Sequence, residues 1–253
     1  MVKTQVSLKK QAAERAAGFV RNGMVVGLGT GSTVVYATDK IGALLASGGL
    51  RNVVGVPTSE GTARHARALD IPLTTLVEHP VLDLVIDGAD EVDPHLDLIK
   101  GLGGALLREK IVGITARRYV VVVDESKLVE RLGTKGPLPV EVTQFAWEAH
   151  ARWLGSLGCR AELRREADGS AYVTDNSNYI IHCTFPGGIM DAAKLARTLG
   201  QRPGVLEHGL FLDMATDVVV AGRDGVHILT RPGLANDSAI HSVRHRRNAD
   251  DAD

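Results

Sequence analysis

Four short stretches of this chain bring together residue types that could do chemistry. The first is Gly27-Leu-Gly-Thr30-Gly31-Ser32-Thr33. Glycines let successive backbone N–H groups close on an anion, and a helix opening at such a run adds partial positive charge. Ser32 and Thr33 can cap that helix and offer hydroxyls to a phosphate. A P-loop needs a lysine directly after its last glycine, and none follows here. A dinucleotide turn needs a third small residue where Ser32 stands, and an acid further on for the ribose, yet no acid falls between Asp39 and Glu60. One phosphate on a small molecule fits best, with a ligand-free strand-to-helix turn as the plain alternative.

The second stretch is Asp87-Gly88-Ala89-Asp90-Glu-Val-Asp93, directly after the apolar run Leu82 to Ile86. Carboxylates at the carboxyl end of a parallel strand lie where open α/β sheets hold their ligands. Gly88 is expected to relieve crowding between Asp87 and Asp90. A Ca²⁺ loop is excluded because Leu98 occupies the twelfth position counted from Asp87. The third is Lys100-Gly101-Leu102-Gly103-Gly104 followed by Glu109, a positive charge beside bare N–H groups that could hold an oxyanion. Glu109 sits among Leu106, Leu107, Ile111 and Val112. Desolvation there would raise its pKa and suit it to pulling a proton from carbon; the alternative is that Arg108, Glu109 and Lys110 form an ordinary solvated helix face. The fourth is Asp124-Glu-Ser-Lys127, a lysine at another strand end that could also be a surface salt-bridge partner.

These stretches need a frame. Apolar runs at Met24 to Leu28, Val53 to Val56, Leu82 to Ile86 and Tyr119 to Val123 read as strands. Helical patterns lie between them, over Leu8 to Val20, Ser32 to Ser47, Ser59 to Leu69 and Ala105 to Ala116. Repeated βα units with strands apolar throughout indicate a doubly wound, Rossmann-like parallel sheet. The cluster Gly133-Thr-Lys-Gly-Pro-Leu-Pro139 breaks the pattern. Beyond it, a helix (143–157), strands near 160–163, 171–173 and 179–183, a helix (191–199) and a strand near Leu210 predict a smaller α+β domain. Residues 217–221 and 226–230 flank a hairpin-like turn. The expected division is 1–136 plus about 212–234 for the larger, catalytic domain and 137–211 for the smaller, oligomer-forming one. The polar stretch 235–253 is expected to be a flexible tail.

Composition agrees. Only 4% of residues are aromatic, so the core must be aliphatic, as under a parallel sheet. Lys plus Arg number 29 against 30 Asp plus Glu, which argues against a nucleic-acid or membrane-surface protein. No apolar stretch is long enough for a membrane span and no secretory pattern opens the chain, so a cytoplasmic location is expected. Cys159 and Cys183 match no metal or redox spacing and read as buried thiols. His241 and His245, four apart in the tail, are discounted as metal ligands.

Taken in order, the four stretches, with Leu-Arg-Glu109-Lys, Pro137-Leu-Pro-Val-Glu-Val142, Val173-Thr-Asp-Asn-Ser-Asn178, Gly188-Ile189 and Pro203-Gly-Val-Leu-Glu-His-Gly-Leu-Phe211, resemble ribose-5-phosphate isomerase of the A type, over roughly Ala12 to Thr230. The resemblance implies interconversion of D-ribose 5-phosphate and D-ribulose 5-phosphate without metal or organic cofactor. It implies substrate held by Thr30 to Thr33 (Thr30, Gly31, Ser32, Thr33), Asp87 to Asp90, Lys100 to Gly103 and Lys127, with Glu109 as catalytic base. It implies a Rossmann-like domain, a smaller ferredoxin-like domain and a homodimer or homotetramer. On this reading Lys100 would stabilise an enediolate, Asp87 would shuttle protons between oxygens and assist ring opening, and Asp90 would orient hydroxyls or hold Lys100. Lys100 and Lys127 are the lysines expected to meet phosphate. Leu102 stands where the family often has glycine; were positive φ needed there, the loop would be reshaped. Two rivals share related folds. Sugar-phosphate sensor domains carry a helix-turn-helix ahead of the domain, for which the residues before Gly27 are too few. Acyl-CoA transferases use a glutamate nucleophile, but the paired lysines and the Thr30 to Thr33 cradle favour a phosphosugar.

Overall fold

The computed structural model describes residues 4–231; the tail and its two histidines lie outside the described residues. In chain order the elements are α1 (Gln5–Ala17), β1 (Val25–Leu28), α2 (Val35–Ala46), β2 (Val54–Pro57), α3 (Glu60–Ala68), β3 (Leu84–Gly88), β4 (Glu91–Val92), β5 (Leu98–Ile99), α4 (Leu106–Ile114) and β6 (Tyr119–Asp124). There follow a 3-10 turn (Glu125–Lys127), β7 (Leu138–Val142), α5 (Trp147–Ser156), β8 (Arg160–Leu163), β9 (Tyr179–Thr184), α6 (Ala192–Gly200), β10 (Val205–His208), β11 (Leu210–Phe211), β12 (Asp217–Gly222) and β13 (Gly225–Thr230).

Six strands form one sheet in the order β13-β12-β6-β3-β1-β2, all parallel except β13. Strands β1, β6 and β12 are buried at every position, which is why they read as continuous apolar runs. On one face Val26, Leu84, Ile86, Val120 and Val122 pack against Ala12, Ala16, Ala37 and Ile41 of α1 and α2. On the other Val85, Val121, Val123 and Val218 meet Val112 of α4 and Phe211. Strand order reverses between β1 and β3, and a ligand crevice is expected there at the carboxyl ends.

The second sheet has the order β10-β7-β9-β8, all antiparallel, with α5 and α6 on one face around Val140, Val142, Ile181 and Leu199. Its element order β-α-β-β-α-β is the ferredoxin-like arrangement. Two expectations are corrected here. Residues 171–173 make only isolated bridges, Arg165 to Ala171 and Val173 to Tyr179. Strand β7 begins at Leu138, at the very end of the Gly/Pro cluster, where the sequence predicts no strand, and it runs between two neighbours despite Pro139. Pro139 is tolerated because it lies past the last β10 pair, His208 with Val140. Its carbonyl accepts from Gly209 N, and having no N–H of its own it leaves the Gly209 carbonyl to the amide of Lys100, 2.9 Å away.

The strand expected near Leu210 is β11, which joins a third, three-stranded sheet, β11-β5-β4, whose β4 and β5 carry no periodic signal because each is two residues long. Its β4–β5 hairpin returns the chain after Asp90, so that Lys100 comes back beside Asp87.

Candidate active site

The glycine run leaves β1 and turns over the end of β3. Gly29 N donates to Ile86 O at 2.9 Å and Thr30 N to Asp87 Oδ1 at 3.2 Å. A Cβ on Gly29 would stand 2.2 Å from Asp87 Oδ1, so only glycine lets the two strand ends approach. The Thr30 hydroxyl turns inward, 2.7 Å from that of Thr58, 2.9 Å from Ser59 Oγ and 3.0 Å from Thr62 Oγ1. Ser32 and Thr33 do not cap the helix as expected: the N-cap position falls on Val34, with no side-chain bond. Their hydroxyls are therefore free of that task, while the first-turn amides of α2 are taken by the turn itself, Val35 N by Gly31 O at 3.2 Å, Tyr36 N by Thr33 O at 3.3 Å and Ala37 N by Val34 O at 2.9 Å. Lys9 Nζ, from α1, donates to Ser32 Oγ at 3.0 Å. This cation at the cradle was missed because a lysine on an amphipathic helix carries no local signal of what it faces.

Behind the cradle lies a buried charge cluster. Lys100, 2% exposed, places Nζ 3.0 Å from Asp87 Oδ2, 3.3 Å from Glu109 Oε1 and 2.5 Å from the Gly88 carbonyl. Tyr119, read from sequence only as a core strand residue, donates its hydroxyl to Asp87 Oδ2 at 3.2 Å. Burial alone would strip the Lys100 proton, but Asp87 and then Glu109 outweigh it and hold its pKa above the ordinary value. For Glu109, burial and then the Asp87 charge push the pKa up to about 8 against the counter-pull of Lys100. Burial first, and the same two carboxylates, raise Tyr119 and keep it a neutral donor. Glu109 Oε2 is buried with no hydrogen-bond partner. A carboxylate with one oxygen fixed on a lysine and the other free, at a pKa near neutrality, is equipped to take and return a proton.

Several expected roles change. Lys100 is locked between Asp87 and Glu109, so its charge is spent within the buried cluster. Asp90 does not bond Lys100; its Oδ2 accepts the Leu102 amide at 3.0 Å. Gly88 relieves no crowding, since a Cβ there would meet open space; what it contributes is its carbonyl to Lys100. The row of bare amides is partly spent, because Lys100 N binds Gly209 O, Leu102 N binds Asp90 and Gly104 N binds Gly101 O. Leu102 has no positive φ; Gly101 (+106°) and Gly104 (+91°) take the turns, so the loop absorbs leucine without strain. Lys127 stands apart from the Thr30 to Thr33 cradle, lining a second cleft with Asp90, Leu102, Ser126 and Gly136. Ala89, half-buried, packs at the edge of the apolar layer under the sheet. Gly103 has open space at its Cβ position. Glu91, buried next to Asp90, accepts the amides of Gly133, Lys135 and Gly136 at 2.6–2.9 Å and fixes the far wall of that second cleft.

Among the described residues no group of three or more His, Cys, Asp or Glu is placed to hold a metal ion, and no helix is long and apolar enough to cross a membrane.

Comparison with known proteins bears on the whole arrangement. The probable ribose-5-phosphate isomerase 3, chloroplastic, of Arabidopsis thaliana is 53% identical over 233 residues, 90% of this chain and 84% of that protein. Ribose-5-phosphate isomerase A of Roseiflexus castenholzii is 54% identical over 224 residues, 88% of this chain and 95% of that one. Among solved structures, a D-ribose-5-phosphate isomerase in complex with phospho-erythronic acid superposes with a TM-score of 0.88 at 43% identity, covering 90% of this chain and all of the other. Ribose 5-phosphate isomerase from Plasmodium falciparum gives 0.87 at 40% identity, covering 90% and 99%. The family model for ribose 5-phosphate isomerase A (phosphoriboisomerase A) matches residues 54–225, and with these relatives it shows that the chain belongs to that family.

Proposed function

We infer that this protein interconverts D-ribose 5-phosphate and D-ribulose 5-phosphate, with Glu109 moving one proton between C2 and C1. The observation that carries the assignment of the base is the free, buried Oε2 of Glu109 beside a lysine that is itself fixed on Asp87. From the open-chain aldose, Glu109 takes the C2 proton and the electron pair moves to the C1 carbonyl oxygen. The resulting cis-enediolate is protonated on O1 while O2 gives up its proton, and Glu109 returns its proton to C1. C1 is reduced as C2 is oxidised, so the sum needs no external oxidant, reductant or organic cofactor. As Glu109 takes up the proton and loses its charge, its hold on Lys100 weakens, and the ammonium, still fixed on Asp87, turns that donor to the developing oxyanion. Asp87, bridging Lys100 and Tyr119, is placed to pass protons between oxygens and to assist ring opening.

The phosphate is assigned to Gly31, Ser32 and Thr33 in the turn that precedes α2, with Lys9, 3.0 Å from Ser32 Oγ, as its cation. Thr30 shapes the cradle from within. The resemblance adds Gly88, Ala89, Asp90, Gly101, Leu102, Gly103 and Lys127 to the substrate contacts, and of these Asp90, Leu102 and Lys127 line the second cleft. A relative solved with phospho-erythronic acid supports a phosphorylated, hydroxyl-rich ligand of about this size. We further propose a homodimer or homotetramer, which sedimentation would decide, and a cytoplasmic location, which fractionation would decide.

The test is purified protein with ribose 5-phosphate and EDTA, following ketopentose. Turnover is expected. No turnover would remove the isomerase assignment, and dependence on added metal would remove the proton-transfer mechanism as drawn.

A further inference from the structure

Residues 108, 109 and 110 of α4 go to three different places. Successive side chains on a helix diverge by about 100°, so Arg108 and Lys110 leave on opposite flanks of the direction taken by Glu109. Neither is free in solvent: Lys110 is mostly buried, and Arg108, 31% exposed, is bonded along its whole guanidinium. Arg108 Nε donates to Asn176 Oδ1 at 2.9 Å and Nη2 to the Asp175 carbonyl at 3.1 Å; Nη1 reaches Glu60 Oε1 at 2.8 Å. Lys110 Nζ donates to Glu207 Oε1 at 2.6 Å and the His208 carbonyl at 2.7 Å, and lies 4.7 Å from the centre of the Phe211 ring. Asp175, Asn176, Glu207 and His208 all belong to the smaller domain. Asn176 is itself held from behind: Glu141, fully buried on β7, accepts its amide at 3.2 Å, the Thr174 hydroxyl at 2.9 Å and the Asn178 amide at 2.9 Å.

A helix fixed on one flank can still roll about its axis; fixed on two flanks it cannot. We propose that Arg108 and Lys110 are positioning residues, two pins through which the smaller domain sets the roll of α4 and so the aim of the Glu109 carboxylate. This rests on Glu109 being the base. The carboxylate stands roughly 6 Å from the helix axis, so a roll of about 10° moves it by about 1 Å. A displacement of that size at a reacting group can cost on the order of 10²-fold in rate. The smaller domain thereby has a part in the proton transfer although the charge cluster lies in the larger one.

The pins can be drawn from the partner side, leaving α4 unchanged. Asn176→Ala and Glu207→Ala should each lower kcat by about 5- to 20-fold with KM within about threefold, and the double variant by about 10²-fold or more. Glu207→Gln, which keeps an acceptor for Lys110, should retain most of kcat. The decisive readout is the acidic limb of kcat against pH. If the Glu109 carboxylate changes its place relative to its buried surroundings, to Asp87, which with burial pushes its pKa up, and to Lys100, which pulls it down, the limb moves in the double variant. Loss of stability alone would reduce active enzyme and leave the limb in place. A double variant with wild-type kcat and limb, assayed well below its melting temperature, overturns the proposal. If the double variant does not fold, single variants with unmoved kcat and limb do the same. Wild-type turnover by Glu109→Gln would instead overturn the base assignment, so the two failures are distinct.

Discussion

Replacing Glu109 by Gln should abolish turnover and yet make the protein more stable at alkaline pH. Burial and the Asp87 charge hold the Glu109 carboxyl at about 8, against 4.5 for the free group. Between those values the folded chain keeps a proton that the unfolded chain has released, so wild-type stability falls as pH rises through this window. Below pH 4.5 both states are protonated and the contribution is fully retained. Gln does not titrate and has no such slope. A separation of about 3.5 pH units, at roughly 1.4 kcal/mol per unit, sets a ceiling near 5 kcal/mol at pH 9. That value already contains the pull of Lys100, so the ceiling is net of it; relaxation of the pocket and entry of water around the ionised carboxylate lower it further. The expected net is about 2 kcal/mol, a difference in Tm of about 4–8 °C for a chain of this length. The assay is thermal melting of both proteins at pH 5, 7 and 9. The difference should be near zero at pH 5 and open in favour of Glu109→Gln as pH rises. A difference that is flat or closes with pH would refute the reasoning. In parallel, wild-type kcat/KM should climb along a limb near pH 8, and Glu109→Gln should lose about 10²–10⁴-fold.

Other consequences follow from the same cluster. Lys100→Met leaves two buried carboxylates facing each other, and calorimetry should show a loss of about 3–5 kcal/mol with turnover down by at least about 10²-fold. Tyr119→Phe removes one hydroxyl from Asp87 Oδ2 and should cost about 1–2 kcal/mol in denaturant unfolding, with a far smaller effect on rate than Lys100→Met. Gly29→Ala puts a methyl 2.2 Å from Asp87 Oδ1; forcing the strand ends apart should cost about 1–3 kcal/mol and lower kcat more than it raises KM. Lys9→Met should raise KM for ribose 5-phosphate by about tenfold with kcat little changed; an unchanged KM would remove Lys9 from the phosphate cradle.

The sequence disclosed the central strands and the four site stretches because their signals are local. Val-Val-Gly-Leu and Tyr-Val-Val-Val-Val are apolar on both faces, and glycines punctuate the turns that follow. What it did not disclose is what a charge faces. For Lys100 a sequence suggests both phosphate and enediolate, because it shows the ammonium and not the two carboxylates that bury it. Lys9 and Tyr119 carry no local signal, one lying on a helix and the other in a core strand, and only the packing of α1 over the sheet and of β6 against β3 brings them to the site. Strand β7 was hidden by Pro139, whose missing N–H is harmless only because the neighbouring strand has ended. Arg108 and Lys110 looked solvated because periodicity cannot show that a second domain covers both flanks of α4.

The position of β12 has a consequence for the order in which the molecule can be made. Strand β6 is apolar at every position but its last, and its partner on the far side, residues 217–222, follows the whole four-stranded sheet in the chain. At synthesis rates of about 5–20 residues per second, β6 waits roughly 5–20 s for that strand. During that interval the ribosome-bound chain presents an open edge of four consecutive valines, the kind of template on which other chains nucleate. The smaller domain, contiguous in sequence, can close first. The period of greatest risk of aggregation therefore falls while the ferredoxin-like unit is emerging, and it ends when Val218, Val219 and Val220 zip onto Val121, Val122 and Val123.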